Sequence, residues 1–330
     1  MILSTDNQTE LTQLARALGW LPADTDITAL SIPGAGNMNV VFRARLSNGG
    51  SVIFKQAPAY VARFPDIAAP PERLHSEAEF YAAVATDPQL ATRIPEIIGY
   101  DPEHHLLCLQ DLGEMGDLTH VYNLSEPLPQ QPLQELLAWL GRLHNLPVSG
   151  AMPVNQAMRE LNHQHLFVVP LQSDNGVELP EALLQVAETL RTNQALHSSM
   201  QRLGEIYLGQ RQVTRISMLH GDFYPGSWLS HANGDAQGIK VIDPEFCFAG
   251  PAEFDVGVMH AHLLMAGITD AQWQSLLEHY ARPPGFAADL AAEFTAVEII
   301  RRILGVAQLP LAATHHQQVQ WLEQAGDTLT

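Results

Sequence analysis

The sequence predicts an α+β fold in two lobes, a β-rich N-terminal lobe followed by a mainly helical C-terminal lobe. In the first third of the chain, segments 39–46 and 51–57 are rich in β-branched and aromatic residues, as strands are. From about residue 132 onwards, apolar residues recur at helical spacing. The exceptions in this later part are two short apolar segments, near 216–220 and 239–243, which are typical of strands.

The N-terminal lobe is placed at 1–112, with a five-stranded antiparallel sheet and a helix, and the C-terminal lobe at 113–330. Ser47-Asn48-Gly49-Gly50 predicts a hairpin, because Asn-Gly tolerates positive φ at both turn positions. Residues 58–72 are rich in proline and predict a loop. The other elements expected in this lobe are a helix over 7–18, a strand over 27–32, a helix over 73–85 and a strand over 105–110.

Composition excludes some classes of function. The net charge is −19, from 17 Lys and Arg against 36 Asp and Glu, which argues against a nucleic-acid-binding surface. The first residues lack the pattern of a signal peptide, and no apolar run is long enough to span a membrane. Cys108 and Cys247 stand in apolar runs and are expected to be buried, reduced thiols. These features predict a cytoplasmic protein that binds neither nucleic acid nor membrane.

The segment His220-Gly221-Asp222 carries the strongest signal for chemistry. It follows a short apolar segment, and Ser227 stands five residues after Asp222. A histidine two residues before an aspartate, with a metal-ligating side chain five residues after that aspartate, is the layout of a kinase catalytic loop. The pattern predicts Asp222 as the catalytic base. It also predicts Ser227 as a ligand of Mg²⁺, directly or through water, at the position where protein kinases have Asn.

A second acidic cluster, Asp243-Pro244-Glu245, stands about 20 residues later at the end of another predicted strand. Phosphoryl transfer needs one carboxylate to accept a proton and others to hold metal against the nucleotide phosphates. Backbone alternation lets Asp243 and Glu245 project from one side. They are therefore the candidate metal ligands.

Lys55 is one of only two lysines, the other being Lys240, and it stands among apolar residues in a predicted strand. A buried lysine needs a charge partner or a phosphate. Glu77 in the following helix is the preferred partner, with Glu79 as the alternative. The pair would direct Lys55 at the phosphates of ATP.

Ahead of Lys55, residues 34–39 form a Gly- and Asn-rich segment between two predicted strands. Small residues allow backbone amides to approach phosphates. Gly36, Asn37 and Asn39 are therefore candidate ATP-binding residues. A plain turn is the alternative interpretation.

Arg301 and Arg302 are adjacent in an otherwise apolar helical pattern. Adjacent residues point about 100° apart on a helix, so at least one arginine should face protein or ligand, and a buried arginine needs an anion. An ion pair within the protein and a ligand contact are both open. The pairs His163 and His165, and His260 and His262, lie at spacings that suit structural histidines better than metal ligands.

Taken together, these segments closely resemble the 5-methylthioribose kinase family, which belongs to the aminoglycoside phosphotransferase and choline kinase branch of the protein-kinase-like fold. The resemblance extends from about residue 34 to 307. It rests on GNMNVVFRA, KQAPAYVAR, HGDFYPGS, VIDPEFCFAGPAEFDVG and IIRRILGVA. The serine at the usual Asn position, the DPEF segment and the paired arginines are particular to the methylthioribose kinases.

The resemblance implies transfer of the ATP γ-phosphate to the anomeric hydroxyl of 5-methylthioribose, within methionine salvage. Asp222 would be the base, and Arg301 and Arg302 would lie near the sugar. Backbone groups around Gln110, Asp111 and Leu112 would meet the adenine. A homodimer is also implied.

Members of that family are typically several tens of residues longer, so the acceptor pocket is the part most open to change. One alternative is a phosphotransferase of the same branch with another acceptor, such as an aminoglycoside, choline, homoserine or another sugar. The other is a nucleotide-binding pseudokinase. The presence of Lys55, Asp222 and Asp243 disfavours the pseudokinase.

Overall fold

The chain folds into strands in its first third and mainly into helices afterwards, as the sequence predicts. The computed structural model describes residues 3–34, 38–123, 129–147, 152–231 and 238–330. The predicted ATP-binding residues Gly36 and Asn37 lie outside these residues. The chain divides into two compact units, the first formed by Met1–Gly116 with Leu229–Glu245 and the second by Asp117–Trp228 with Phe246–Thr330.

The helices and strands are numbered along the chain. The helices are α1 (Gln8–Ala17), α2 (Arg73–Val84), α3 (Pro88–Ala91), α4 (Gln130–His144), α5 (Gln156–His163), α6 (Glu181–Thr192), α7 (Gln194–Tyr207), α8 (Ala252–Met265), α9 (Asp270–Leu277), α10 (Ala288–Leu304) and α11 (His315–Thr328). The strands are β1 (Ile27–Ser31), β2 (Val40–Leu46), β3 (Ser51–Gln56), β4 (Tyr60–Val61), β5 (Phe64–Ala68), β6 (Ile97–Asp101), β7 (Leu106–Gln110), β8 (Gly116–Asp117), β9 (Ser217–Leu219), β10 (Trp228–Ser230), β11 (Lys240–Val241) and β12 (Phe248–Gly250).

A five-stranded antiparallel sheet, in the order β1-β2-β3-β7-β6, dominates the first unit. One face of the sheet packs with α1 into an apolar core. The buried members of this core are Leu3, Leu11, Ala15, Leu21, Ile27, Phe42, Ala44, Val52, Phe54, Leu106 and Cys108. Helix α2 contacts β6 and β7.

The predicted hairpin joins β2 to β3. The backbone N–H of Leu46 donates to the carbonyl of Gly50 at 2.9 Å, and Gly49 takes the positive φ, +88°. The side chain of Asn48 accepts the N–H of Gly50 at 2.9 Å. The left-handed conformation is therefore confined to the glycine, where it carries no steric penalty.

The sequence interpretation missed several strands. Residues 58–72, predicted as a loop, contain β4 and β5, which pair as an antiparallel hairpin. Strand β6 was not located either, because Gly99 interrupts its pattern. A Cβ at Gly99 would lie 1.8 Å from Nε1 of Trp20, so the indole of Trp20 occupies the space that a side chain would need.

The second unit is mainly helical, but it contains more strand than the predicted segment near 216–220. Strand β9 confirms that segment and pairs antiparallel with β12, which was not predicted. Strands β8 and β10, also not predicted, lie where the chain passes between the two units. Among the described residues, no helix has the length and apolar character needed to span a membrane.

Helix α8 runs through the core of the second unit, with 12 of its 14 residues buried. Helix α10 packs against it at Gly257, where an added Cβ would lie 2.7 Å from Cβ of Phe294 and 2.8 Å from the carbonyl oxygen of Ala291. A glycine is thus required for this close approach. It brings the C-terminal half of α10, with Arg301 and Arg302, into the buried interior.

Candidate functional site

Lys55 lies on the central strand of the five-stranded sheet and is only 5% exposed. Its Nζ donates to both carboxylate oxygens of Glu77 on α2, at 2.8 and 2.6 Å, and also to Oδ1 of Asp243. Glu77, rather than Glu79, is therefore the partner of Lys55. The lysine joins the helix to the segment that carries Asp243.

Burial acts on both members of this pair. It would by itself lower the pKa of Lys55, but the carboxylates of Asp243 and Glu77 raise that pKa above its ordinary value. Burial also raises the pKa of Glu77 to about 7, against the opposing effect of Lys55. Lys55 is thus held as a cation in a place where an unpaired charge would be unfavourable.

The two carboxylates of Asp243-Pro244-Glu245 have different surroundings. The side chain of Asp243 is 44% exposed, and its backbone lies in the left-handed region at φ +66°. The backbone N–H of Asp243 donates to the hydroxyl of Tyr81 at 3.1 Å. Glu245 is buried, and Asn39 Nδ2 donates to its Oε2 at 2.7 Å. Burial, followed by repulsion from Asp243, raises the pKa of Glu245 well above its ordinary value.

Arg73, the first residue of α2, is completely buried and was not identified from the sequence. Its Nε donates to Oδ1 of Asn39 at 2.9 Å and lies 3.7 Å from Oε2 of Glu245. The rest of the guanidinium donates to backbone carbonyls at 2.7 to 3.4 Å, those of Met38, Pro58, Tyr60 and Pro70. Arg73 therefore ties the end of the Gly-rich segment to the acidic one.

The predicted adenine segment begins at the end of β7. The carboxylate of Asp111 is committed to the sheet, since Arg43 Nε lies 2.8 Å and Ser51 Oγ 2.7 Å from its Oδ2. For Asp111, this leaves the backbone groups to contact a base. The roles of Gln110, Asp111 and Leu112 in binding adenine stay predictions.

In the second unit, buried Asp255 on α8 holds the segment that carries Asp222. Its carboxylate accepts the backbone N–H of His220 at 2.7 Å and of Gly221 at 3.0 Å, and His144 Nε2 lies 3.2 Å away. Gly221 has φ +86°, and a Cβ there would lie 2.0 Å from the carbonyl oxygen of Phe246. Only glycine fits this position.

The carboxylate of Asp222 meets the paired arginines. Its Oδ1 accepts from Nη2 of Arg302 at 3.2 Å and lies 3.8 Å from Nη1 of Arg301. Burial raises the pKa of Asp222, and Arg302 and Arg301 oppose this effect. Ser227 Oγ donates to the backbone carbonyl of Asp222 at 2.9 Å. Within the described residues, Oδ2 of Asp222 accepts no hydrogen bond, and the side chain is 17% exposed.

Glu298, which was not singled out from the sequence, lies between the two arginines. Its carboxylate accepts from Arg302 Nε at 2.6 Å and from Arg301 Nη1 at 3.1 and 3.2 Å. His262 Nε2 lies 3.0 Å from its Oε1, and Nδ1 of the same histidine lies 2.5 Å from the hydroxyl of Tyr122. Burial alone would raise the pKa of Glu298, but Arg301 and Arg302 hold it well below its ordinary value.

Three buried charged residues among these contacts were not predicted: Arg73, Asp255 and Glu298. Only Glu298 had a usable signal, because it precedes Arg301 and Arg302 by three and four residues, which places it on the same helix face as its partners. Arg73 and Asp255 had no such local signal, because their partners are distant in the chain.

The sequence and the fold have clear relatives. Residues 31–294 match the model of the phosphotransferase enzyme family. The methylthioribose kinase of Bacillus velezensis is 24% identical over 336 residues, covering 90% of this chain and 83% of that protein. The methylthioribose kinase of Cronobacter sakazakii is 25% identical over 348 residues, covering 89% and 84%.

Among solved structures, LicA in complex with AMP superposes with a TM-score of 0.57 at 12% identity, covering 99% of this chain and 100% of that one. A choline/ethanolamine kinase family protein from Mesorhizobium loti gives 0.52 at 17% identity, covering 97% and 94%. At these identities the likeness shows the fold, which is the predicted protein-kinase-like one.

The family match covers most of the chain, including the segments that carry Lys55, Asp222 and Asp243. The chain therefore belongs to the phosphotransferase enzyme family and is an ATP-dependent phosphotransferase that acts on a hydroxyl group of a small molecule.

Proposed function

We propose that this protein transfers the γ-phosphoryl group of ATP to the anomeric hydroxyl of 5-methylthioribose, in the cytoplasm and as a step of methionine salvage. The similarity to methylthioribose kinases over 89 to 90% of the chain supports this acceptor. The observation that carries the proposal is the contact between Asp222 and the paired arginines, Arg301 and Arg302.

Asp222 is the base in this proposal. Its Oδ2 accepts the proton of the acceptor hydroxyl while the hydroxyl oxygen forms a bond to the γ-phosphorus, and the bond from that phosphorus to the bridging oxygen of ADP breaks. The raised pKa of Asp222 brings the carboxyl closer to the operating pH, where a base is most effective. Arg302 orients the other oxygen, Oδ1.

The first unit would hold the nucleotide phosphates. Lys55, aimed by Glu77, supplies a cation to the phosphates, and the Gly-rich segment with Gly36, Asn37 and Asn39 lies ahead of it in the sequence. Backbone groups of Gln110, Asp111 and Leu112 would receive the adenine.

Mg²⁺ is the implied metal, and Asp243, Glu245 and Ser227 are its proposed protein ligands. With all three carboxylates ionised, the state that a bound cation favours, Glu77, Asp243 and Glu245 face Lys55 and Arg73 and leave an excess of one negative charge. Mg²⁺ is bound in proteins through one or two carboxylates together with substrate phosphates, and it offsets their charge.

A neutral sugar suits the surroundings of Asp222 better than a cationic acceptor. Two guanidinium groups lie within 3.8 Å of its carboxylate and pair with it, so Asp222 is not an unpaired anion for the ammonium group of choline or an aminoglycoside. The homodimer implied by the family resemblance stays a prediction.

The test is ATP-dependent release of ADP, measured with 5-methylthioribose, ribose, choline and an aminoglycoside. The expected result is turnover with 5-methylthioribose at a kcat/KM at least about tenfold above that for the other acceptors. Preferred turnover of another acceptor would overturn the substrate but not the reaction class. Nucleotide binding without turnover of any acceptor would favour a pseudokinase.

A further inference from the structure

The paired arginines are not equivalent, and Glu298 distinguishes them. Glu298 stands three residues before Arg301 and four before Arg302 on α10, so one carboxylate reaches both guanidinium groups although these leave the helix about 100° apart. All three residues are at least nine-tenths buried. The positions of the arginines are thus set within the protein.

Arg302 is fully engaged by the chain itself. Its Nε donates to Glu298 at 2.6 Å, Nη1 to the carbonyl of Ala307 at 3.4 Å and Nη2 to Asp222 at 3.2 Å. One face of the guanidinium lies over the ring of Tyr224, at 4.8 Å from its centroid. Every edge of Arg302 therefore has a contact, and its function is to orient Asp222.

Arg301 keeps unused donors. Its Nη1 donates to Glu298, but its buried Nε has no hydrogen-bond partner, and Nη2 makes no hydrogen bond to the residues that the structure describes. A buried, unpaired donor on a charged group is unfavourable unless a ligand satisfies it. Arg301 is therefore the arginine available to an acceptor.

The charges of this cluster cancel. With Asp222 ionised, as its role requires, two guanidinium and two carboxylate charges sum to zero. His262 adds none, because burial lowers its pKa to about 4, and its Nε2–H donates to Glu298 while Nδ1 accepts the hydroxyl of Tyr122. Without Glu298, the same cluster would carry one net positive charge.

We propose that Glu298 is a positioning and specificity residue: it holds Arg302 against Asp222, leaves Arg301 free to bind the acceptor, and cancels one arginine charge so that the site selects uncharged over anionic acceptors. This rests on the proposed role of Asp222 as base. The proposal gives Arg301 and Arg302 different functions, whereas the family resemblance places both of them near the sugar.

The test compares Glu298→Gln, Glu298→Asp and the control Glu293→Gln. Glu293 lies on the same helix but pairs with Arg202, at 2.5 Å, away from this cluster. For Glu298→Gln we expect kcat/KM for 5-methylthioribose to fall by about tenfold or more, through loss of a charge-assisted contact, with the KM for ATP unchanged. Glu298→Asp keeps the charge but shortens the reach, so it should lose activity as well.

Inhibition by sulfate distinguishes a change in the net charge of the cluster from a loss of protein stability. In Glu298→Gln, sulfate should inhibit competitively with the acceptor, whereas in wild type, Glu298→Asp and Glu293→Gln it should not. Equal acceptor-competitive inhibition in all four proteins, or a Glu298→Gln variant with a lower Tm but unchanged kinetics, would overturn the proposal.

A second measurement does not depend on the substrate. With ADP saturating, sulfate should raise the Tm of Glu298→Gln more than that of wild type or Glu298→Asp. If 5-methylthioribose is not turned over but this Tm difference is found, the proposed function fails and the role of Glu298 in charge selection stands. Absence of the difference, together with normal turnover by wild type, would reject the role of Glu298 alone.

Discussion

The carboxylate of Asp255 accepts the backbone N–H of His220 at 2.7 Å, so a buried side chain of α8 sets the path of the segment that carries Asp222. The second carboxylate oxygen does the same for Gly221 at 3.0 Å. A base that must meet a substrate hydroxyl within hydrogen-bonding distance depends on such support, because small displacements strongly reduce rates.

Asp255→Asn should lower kcat by about a hundredfold, because an amide cannot accept from both backbone N–H groups with two equivalent oxygens. It should also lower the free energy of unfolding by roughly 3 kcal/mol. Steady-state ADP release and urea denaturation measure the two effects. The control Asp270→Asn, at an exposed position of α9, should change stability by no more than about 0.5 kcal/mol. Normal kcat in Asp255→Asn would show that its contacts do not support Asp222.

Asp222→Ala should abolish turnover and leave nucleotide affinity unchanged, since the partners of its carboxylate are Arg301 and Arg302. ADP release measures the first effect and isothermal titration with ATP the second. Asp289→Ala, at an exposed position of α10, is the matched control and should keep full activity. Loss of ATP binding in Asp222→Ala would instead place this residue among the metal ligands.

Lys55→Met should weaken ATP binding and abolish most activity. It leaves Glu77 buried without its cation, so we expect the free energy of unfolding to fall by roughly 3 kcal/mol. The other lysine provides the control, because Lys240 Nζ donates to the carbonyl of Thr92, at 2.7 Å, at an exposed position. Titration calorimetry should find wild-type ATP affinity in Lys240→Met. Equal affinities in the two variants would remove Lys55 from the phosphate site.

Gly257→Ala should separate α8 from α10, because its Cβ would meet Phe294 at 2.7 Å and the backbone of Ala291 at 2.8 Å. Such overpacking should lower the free energy of unfolding by roughly 1–3 kcal/mol. It should also raise the KM for the acceptor, since Arg301 lies further along α10. Gly116→Ala, where an added Cβ meets no atom within 4 Å, should leave both quantities unchanged. An unaffected acceptor KM in Gly257→Ala would uncouple this contact from the site.

His260 should make the protein sensitive to acid. It stacks on Trp273, with 4.3 Å between ring centroids, and burial lowers its pKa from 6.5 to about 3. The unfolded chain therefore takes up the proton first, so the contribution of neutral His260 to stability is complete above pH 6.5 and is lost as the pH falls towards 3. Uptake of one proton on unfolding lowers the free energy of unfolding by at most about 1.4 kcal/mol for each pH unit of acidification.

His260→Phe keeps a ring against Trp273 and removes the titrating group. The free energy of unfolding should then decline less steeply between pH 6.5 and 4 than in wild type. Near pH 8, where His260 is neutral in both the folded and the unfolded state, the difference in this free energy between the two proteins should not change with pH. Urea denaturation across this range measures the slopes. Identical slopes would contradict the prediction.

Much of the first unit followed from local patterns. The residues of β2 and β3, the Asn-Gly hairpin and the helical spacing of α1 and α2 are all signals within a few residues of the chain, and the structure has each of them. Strand β6 and the β4–β5 hairpin were missed, because Gly99 interrupts one pattern and prolines the other. Their strand conformation depends on pairing with neighbours rather than on local preference.

In the same way, the sequence by itself predicted Lys55, Glu77, Asp222, Asp243 and the paired arginines as site residues, because their residue types and spacing suit phosphoryl transfer. What only the tertiary structure decided is which charges are buried together. Nothing in the local sequence marks Arg73 or Asp255 as buried, and Glu298 shows only its helical spacing from the paired arginines. Each is buried, and a buried charge is tolerated only where distant groups supply its partners, which is a property of the packed fold and not of the local chain.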